Sequence, residues 1–283
     1  MPEPVTVLGS AMHLIDSVST GRSYRITVSL PLGYHAAPGE AWPFNNIPAQ
    51  WPTVYVIDGN QYAGMVTDMI RPAAWCGGMT DALVVGIGYP ESADPIETFR
   101  EYFLRRDHDL TPVHDPVTEK NMSEGFKRPV PNGDAGNFHR FIRDEVIPLI
   151  EKTYRSDPAR RILAGHSYGG LFALFGLFTT PDLFQSLIVG SPTLGYGSRF
   201  TFAQEEAFAQ EHKAIPATVY LYATEQEESI DDTTLTDTLR MAAILQSRKY
   251  EGFTLIKRLF PEQNHCEVAA PGFAWGLRLA LKR

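Results

Sequence analysis

Short apolar runs alternate along this chain with segments in which apolar residues recur every three or four positions. Runs typical of strands occupy residues 23–31, 54–57, 83–87, 161–165, 186–192, 217–224 and 253–261. Helical spacing lies between them, as in residues 136–154, and continues in residues 271–283. Continuous apolar strands that alternate with helices are typical of parallel sheets covered on both faces. The pattern predicts an α/β fold with a mostly parallel central sheet and helices on both faces, as one domain over residues 1–283.

One segment interrupts this alternation. Residues 105–136, RRDHDLTPVHDPVTEKNMSEGFKRPVPNGDAG, are polar and rich in proline, and the stretch is too long for an ordinary connection. Loops of this length in compact domains usually carry function. We therefore expect an irregular, lid-like insertion here that forms part of the wall of a pocket.

The charge balance narrows the classes of partner. The formal net charge is −8 at pH 7, and an acidic chain lacks the cationic surface that nucleic acids and anionic membranes attract. The N-terminal segment MPEPVTVLGSAMHLIDS has no basic start and no long apolar core, and no run reaches the roughly 18 apolar residues of a membrane-spanning helix. We expect a cytoplasmic protein that binds neither nucleic acid nor membrane; its oligomeric state is not predicted.

The junction between a strand pattern and a helix pattern contains the string GHSYG, in which Ser167 stands between Gly165 and Gly169. This spacing fits G-x-S-x-G, where a sharp turn from strand to helix exposes the serine and glycines allow the two elements to approach. The helix N-terminus and the N–H of Tyr168 would then face a developing oxyanion. Ser167 is the predicted nucleophile; the alternative is a tight turn with an incidental serine.

A serine nucleophile needs a base, and His265 is the best placed histidine. It lies in PEQNHCEV, between the last predicted strand and the last predicted helix, and it follows Ser167 in the chain order of α/β-hydrolases. His166 adjoins Ser167, but neighbouring side chains point apart on a sharp turn. The alternative for His265 is a buried structural histidine.

The acid that orients this histidine is expected after the strand TVYLY, in ATEQEESIDD. Glu227 is favoured because it lies within reach of the strand end, and Glu225 is the second choice. The other candidates in this acidic run are Glu228, Asp231 and Asp232, and the site can also lack an acid.

The second oxyanion donor is expected after the strand VYVID, where Gly59 and Asn60 follow directly. We predict that the Asn60 N–H takes this role, because such a donor comes from the loop after an early strand. The alternative is a plain turn at Asp58 and Gly59.

Metal and disulfide chemistry are not expected. The segment RRDHDLTPVHDP offers oxygen and nitrogen ligands at Asp107, His108, Asp109, His114 and Asp115, but their spacing fits no known zinc pattern. The two cysteines, Cys76 and Cys266, are expected to be free thiols. No metal and no cofactor are predicted.

Taken in order, the strings YRITVSLPLGY, VYVIDGNQY, VVGIGYP, RRDHDLTP, ILAGHSYGGLFAL, SPTL and PEQNHCEV resemble the serine esterase family of α/β-hydrolases, and most closely its branch of enterobactin-type siderophore esterases. The resemblance implies that Ser167 is the nucleophile, that His265 is the base, and that the amides of Asn60 and Tyr168 form the oxyanion hole. It also implies a variable acid, with a Ser–His dyad in the siderophore branch, as an alternative to Glu227.

These observations predict a carboxylic ester hydrolase that acts on a small-molecule ester through an acyl-enzyme. The ester is expected to be of siderophore type or aromatic. Arg105 or Arg106 would hold an anionic or phenolic acyl group, or else would form structural ion pairs. The alternatives are an acyltransferase on the same scaffold, a serine peptidase, and a non-catalytic binding protein with a hydrolase fold.

Overall fold

The computed structural model describes residues 7–42, 45–229 and 233–282. Its strands, numbered along the chain, are β1 (Ser10–Asp16), β2 (Ser23–Ser29), β3 (Ala41–Trp42), β4 (Asn45–Asn46), β5 (Trp51–Val56), β6 (Leu83–Gly88), β7 (Ser156–His166), β8 (Ser186–Gly190), β9 (Thr218–Thr224) and β10 (Thr254–Phe260). Its helices are α1 (Gly59–Trp75), α2 (Pro95–Leu110), α3 (Pro116–Phe126), α4 (Ala135–Phe141), α5 (Ile147–Thr153), α6 (Tyr168–Thr179), α7 (Tyr196–Glu211), α8 (Thr234–Arg248) and α9 (Ala269–Ala280), with a π-helical turn (Ile142–Val146) joining α4 to α5.

Eight strands form one sheet in the order β1-β2-β6-β5-β7-β8-β9-β10. Six neighbouring strands, β6, β5, β7, β8, β9 and β10, run parallel to one another. Strand β2 is antiparallel to β6, and β1 is antiparallel to β2. The predicted α/β-hydrolase fold is therefore confirmed. Strand β1 was not predicted, because it lies at the edge of the sheet and its mostly exposed residues form no apolar run.

The sheet buries both faces, which is why its inner strands are continuously apolar. Along β5, Tyr55 packs in a core with Phe138, whereas its neighbours Val54 and Val56 pack on the opposite face with residues such as Phe273. All residues of β5 and β6 are buried. Since parallel strands end at the same edge, the turns after β5, β7, β9 and β10 lie along one side of the molecule.

The prediction that residues 105–136 are irregular is wrong, whereas their role as a lid stays a prediction. The end of α2 and all of α3 lie within this segment, so that much of it is helical. Each helix starts with a proline that follows an aspartate cap: the Asp94 carboxylate accepts from the Ile96 N–H at 2.9 Å, and Asp115 caps α3. Proline suits the first helical position, where its missing N–H costs nothing, so the same residue that indicated a loop begins a helix.

Helix α3 lies on the surface and has no buried residue. It is held at its two ends, by the Asp115 cap and by contact of the Phe126 ring with Phe103 of α2 at 6.5 Å between centroids. In the part of the chain that the structure describes, no helix combines the length and apolar character needed to cross a membrane.

Candidate active site

The GHSYG string forms the predicted turn between β7 and α6. Ser167 has φ 60° and ψ −121°, a conformation that an L-residue rarely adopts and that marks a strained turn. A Cβ atom on Gly165 would lie 2.2 Å from the carbonyl oxygen of Gly169, so only glycine fits this close approach of strand and helix. The turn holds the Ser167 side chain at the N-terminus of α6.

The Ser167 hydroxyl is only weakly engaged. Its oxygen lies 3.5 Å from the hydroxyl oxygen of Thr193, while its backbone N–H donates to the Gly190 carbonyl at 2.9 Å. Among the described residues, Ser167 Oγ makes no hydrogen bond to His265. A side chain with one long hydrogen bond retains the rotational freedom to meet another partner.

His265 and Glu227 form a close pair. The His265 Nδ1 atom lies 2.5 Å from Glu227 Oε1, and Glu227 is only 1 % exposed. The other carboxylate oxygen of Glu227 accepts from the Ser191 hydroxyl at 2.9 Å and from the Thr224 N–H at 3.1 Å. Because the Glu227 carboxylate accepts a hydrogen bond from Nδ1–H of His265, the neutral ring carries its proton on Nδ1 and none on Nε2.

The other acidic candidates do not meet His265. Glu225 is exposed, and the Glu228 carboxylate accepts from the Thr236 N–H at 2.9 Å. Asp231 and Asp232 lie outside the described residues. Ser191, the first residue of the SPTL string, was not predicted to take part in the site; it is fully buried with φ 37° and orients Glu227 from the turn after β8.

His166 connects the serine turn to the histidine loop. Its Nε2–H donates to the backbone carbonyl of His265 at 2.8 Å, and its Nδ1 accepts from the Tyr222 hydroxyl at 3.3 Å. Burial and, secondarily, the neighbouring His265 lower the pKa of His166 to about 3, so this ring is neutral. The rings of His166 and His265 lie 4.8 Å apart between centroids. The fold thus brings His265 beside the residue that precedes Ser167.

The two predicted oxyanion donors lie at the starts of helices that follow the neighbouring strands β5 and β7. Tyr168 is the first residue of α6 and Asn60 is the second residue of α1. The first amides of a helix have no partner within it, and they carry the positive end of the helix dipole. Within the described ranges, neither amide has a hydrogen-bond acceptor.

The Asn60 side chain is fixed by the backbone of Tyr89, just after β6. It accepts from the Tyr89 N–H at 2.6 Å and donates to the Tyr89 carbonyl at 2.9 Å, which ties α1 to the end of β6. A Cβ on Gly88 would lie 2.1 Å from the Asn60 side-chain oxygen, so the contact requires glycine at 88.

Both predicted substrate-binding arginines have partners inside the protein. The Arg106 guanidinium donates to both carboxylate oxygens of Asp58, at 3.1 and 3.0 Å. Arg105 donates to the Ser23 carbonyl at 2.6 Å and lies over the rings of Tyr24 and Tyr89. These contacts correspond to the alternative of structural interactions, and the substrate contacts stay a prediction.

Asp107, considered above only as a possible metal ligand, is a buried acid. It is 2 % exposed, and its Oδ2 atom has no hydrogen-bond partner among the described residues. Burial raises the pKa of Asp107 to about 6, against the opposing effect of Arg106. A carboxyl without partners is destabilising once it is ionised.

Among the described residues, one group of possible metal ligands lies where the end of α2 meets the start of α4. The side chains of His108, Asp109 and Asp134 offer ligand atoms within 4.8 Å of one another. Asp109 already accepts from the Tyr24 hydroxyl at 2.9 Å and pairs with Arg22 at 3.5 Å, so it is satisfied without an ion. Cys76 and Cys266 are free and exposed, as expected.

Comparison with known proteins shows the family. The model of an esterase family described as "Putative esterase" matches residues 17–266. Over 230 residues, the chain is 32 % identical to the ferri-bacillibactin esterase BesA of Bacillus subtilis, covering 79 % of this chain and 72 % of that protein. It is also 32 % identical to a siderophore enterobactin esterase of Emericella nidulans, over 65 % of this chain and 58 % of that protein.

Solved structures share the fold. The siderophore hydrolase EstB from Aspergillus nidulans superposes with a TM-score of 0.81 at 23 % identity, covering 99 % of this chain and 98 % of that one. The BES protein from Bacillus cereus gives a TM-score of 0.79 at 24 % identity, covering 100 % of this chain and 98 % of that one. The chain therefore belongs to the esterase family, in its siderophore esterase branch, and is a carboxylic ester hydrolase.

Proposed function

We propose that this esterase cleaves its substrate through an acyl-enzyme formed on Ser167. The Ser167 oxygen attacks the ester carbonyl carbon while Nε2 of His265 takes the hydroxyl proton. The tetrahedral intermediate then collapses as His265 returns that proton to the leaving alcohol. Water then gives a proton to His265 and attacks the acyl carbon. The second tetrahedral intermediate breaks its bond to the Ser167 oxygen, His265 returns the proton to that oxygen, and the acid is released.

The pair of His265 and Glu227 is the observation that carries this proposal. The buried carboxylate fixes the ring so that Nδ1 carries the proton, and it stabilises the imidazolium formed during attack. The 2.5 Å contact requires that the chain bring together two residues on different loops. A non-catalytic scaffold has no need of such a pair beside a strained serine turn.

The Ser167 and His265 side chains need to rotate into contact for the first step. Catalytic hydrogen bonds often shorten only when substrate is bound, and the single long contact of the Ser167 hydroxyl allows this movement. The amides of Asn60 and Tyr168 supply the oxyanion hole, where removing one donor costs about 10²- to 10³-fold in kcat in comparable enzymes.

The proposed substrate class is an ester of siderophore type. Its support is the named activity of similar proteins: relatives at 31 to 32 % identity act on ferri-bacillibactin, enterobactin and triacetylfusarinine C. The bonds in question are carboxylic esters, which suit the chemistry of Ser167 and His265.

The test has two stages. First, purified protein and the variant Ser167→Ala are assayed on p-nitrophenyl acetate; wild-type turnover well above that of the variant supports the proposal, and equal rates contradict it. Second, kcat/KM is compared for enterobactin-type, hydroxamate-type, feruloyl and simple acetyl esters. A higher value for a siderophore ester supports the substrate class, and a higher value for the acetyl or feruloyl ester contradicts it.

A further inference from the structure

The turn after β5 is built around a buried carboxylate that does not cap its own helix. Asp58 precedes α1 with φ 57° and ψ 45°, and its side chain makes no hydrogen bond to the amides of α1. An aspartate before a helix usually has extended backbone and accepts from the second or third amide of that helix, here those of Asn60 and Gln61. Asp58 departs from this arrangement through its left-handed backbone, and the Gln61 N–H donates instead to the Asp58 carbonyl at 2.9 Å. The absence of the usual cap leaves the Asn60 N–H available.

Arg106 explains where the carboxylate goes instead. Its guanidinium holds both oxygens of Asp58 in a two-pronged pair, and the two side chains are 11 % and 1 % exposed. Such paired geometry is the strongest that arginine forms with a carboxylate. The Asp58 carboxylate is therefore neutralised and turned away from the helix that it precedes.

The same guanidinium also reaches the serine turn. It lies 5.1 Å from the centre of the Tyr168 ring, and a Cβ on Gly169 would lie 3.4 Å from Asp58 Oδ2. The ion pair thus contacts both turns from which the proposed oxyanion donors come.

We infer that Arg106 and Asp58 are positioning residues for the oxyanion hole: the pair keeps the Asp58 carboxylate from capping α1 and neutralises it, so that the Asn60 amide stays free to bind the oxyanion. This inference rests on the proposed function. It differs from the predicted contact of Arg106 with an anionic acyl group, because it applies equally to a neutral ester.

The loss of Arg106 has two expected consequences. The freed carboxylate turns to the amides of α1, and its negative charge then lies next to the position where the oxyanion develops. Both effects raise the barrier of the chemical step and leave ground-state binding of a neutral ester nearly unchanged.

The experiment compares Arg106→Met and Arg106→Lys with wild type on p-nitrophenyl acetate and on an ester with an anionic acyl group. We expect kcat of Arg106→Met to fall about 10²-fold on both esters, with KM within about twofold, because one oxyanion donor is lost. Arg106→Lys keeps the charge and is expected to lose only three- to tenfold in kcat, on the order of 1 kcal/mol.

A distant ion pair provides the matched control. Arg248 holds the buried Glu205 with the same two-pronged geometry, at 2.9 and 2.8 Å. Arg248→Met and Arg248→Lys therefore leave a similar buried carboxylate without its full partner, and we expect kcat to stay at the wild-type value. Equal kcat losses in the Arg106 and Arg248 variants would overturn the inference, because both would then reflect general destabilisation.

Two further outcomes are decisive. Unchanged kcat on the neutral ester with a raised KM on the anionic ester would overturn the positioning role in favour of substrate binding. If Arg106→Met does not fold, the kcat of Arg106→Lys relative to Arg248→Lys decides, and equality overturns the inference.

The amide proton of Asn60 gives a readout that does not depend on turnover. In ¹⁵N NMR spectra of the full chain, Arg106→Lys or Arg106→Met is expected to move this resonance downfield as the carboxylate begins to cap α1. An unchanged resonance in a folded variant overturns the inference. Should wild type prove no more active than Ser167→Ala, the proposed function fails while this measurement still tests the arrangement of Asp58.

Discussion

The turns after β5 and β7 share one local construction and differ in what surrounds the residue at the tip. Asp58 and Ser167 each follow a buried strand, precede a helix and have positive φ, 57° and 60°. Neither side chain caps its own helix. Yet the Asp58 carboxylate is completely buried and doubly bound by Arg106, while the Ser167 hydroxyl has one long contact, to Thr193.

The difference follows from the charge of the two groups. A buried carboxylate without a partner costs several kcal/mol, so Asp58 is stable only with a firm counter-ion. A hydroxyl loses far less when its hydrogen bonds are weak, and can remain free to react. Two similar turns, at the ends of the neighbouring strands β5 and β7, thus hold a fixed ion pair and the proposed nucleophile. Substitutions at these two turns and at the residues that contact them test this contrast.

The serine turn carries the largest effect on activity. Ser167→Ala and Ser167→Gly should each lower kcat on p-nitrophenyl acetate by about 10⁴- to 10⁶-fold, because no nucleophile remains. Glycine tolerates positive φ, so the glycine variant should be more stable than the alanine variant by about 1 kcal/mol, measured by thermal unfolding. A wild-type kcat in either variant would contradict the assignment of Ser167 as the nucleophile.

The proposed catalytic acid, Glu227, has the next largest expected effect on activity. Glu227→Gln should lower kcat by about 10²- to 10⁴-fold, since the amide neither fixes the tautomer of His265 nor stabilises the imidazolium. The measurement is steady-state kcat, with Glu225→Gln as the control variant, because Glu225 is exposed and does not contact His265. A full loss in Glu225→Gln with normal activity in Glu227→Gln would reverse the assignment.

His166 ties the serine turn to the histidine loop, and its removal should have a smaller effect. His166→Leu deletes the hydrogen bond to the His265 carbonyl, so kcat should fall about tenfold, corresponding to about 1.4 kcal/mol. His166→Gln can place a donor near the position of Nε2 and should recover part of that loss. If the leucine and glutamine variants have the same kcat, the hydrogen bond is unimportant for placing His265.

Asp107, next to Arg106 on α2, should affect stability and not chemistry. Its pKa in the folded state, about 6, exceeds the ordinary value of 3.8, so the folded state binds the proton more tightly than the unfolded state. The wild-type protein therefore loses stability as pH rises from about 4 through 6, by at most about 3 kcal/mol.

Asp107→Asn removes this loss. The variant should be more stable than wild type at pH 8, and the difference should vanish at or below pH 4, as followed by urea unfolding at several pH values. A stability difference that is constant with pH would show that Asp107 does not titrate with a raised pKa.

The sequence alone was sufficient for the main elements. The strands around residues 54–57, 83–87 and 161–165 are visible as apolar runs, because a strand buried on both faces must be apolar throughout. The Ser167 turn could be predicted because the close approach of strand and helix there requires glycine at Gly165, and that requirement shows in the local sequence. The insertion at 105–136 was misread because proline both ends and begins regular structure, and only the position of the aspartate before it separates the two cases.

The contacts that complete the site were not readable in the same way. Asp58 and Arg106 are 48 positions apart, His166 and the His265 carbonyl 99, and Ser191 and Glu227 36. Each side chain taken alone has several plausible partners, and no local pattern distinguishes a structural arginine from one that binds substrate. Their pairing depends on which strands are neighbours.

Residue patterns alone therefore predict the type and order of the buried strands and most helices, the strained serine and the loop that carries His265, because periodicity and turn geometry are properties of neighbouring residues. Tertiary structure decided which acid meets His265 and what Arg106 holds. The sheet places β6, β5, β7, β8 and β9 side by side, so that the ends of strands distant in the chain meet at one edge. Buried charges there can be stable only with the partners that this arrangement provides.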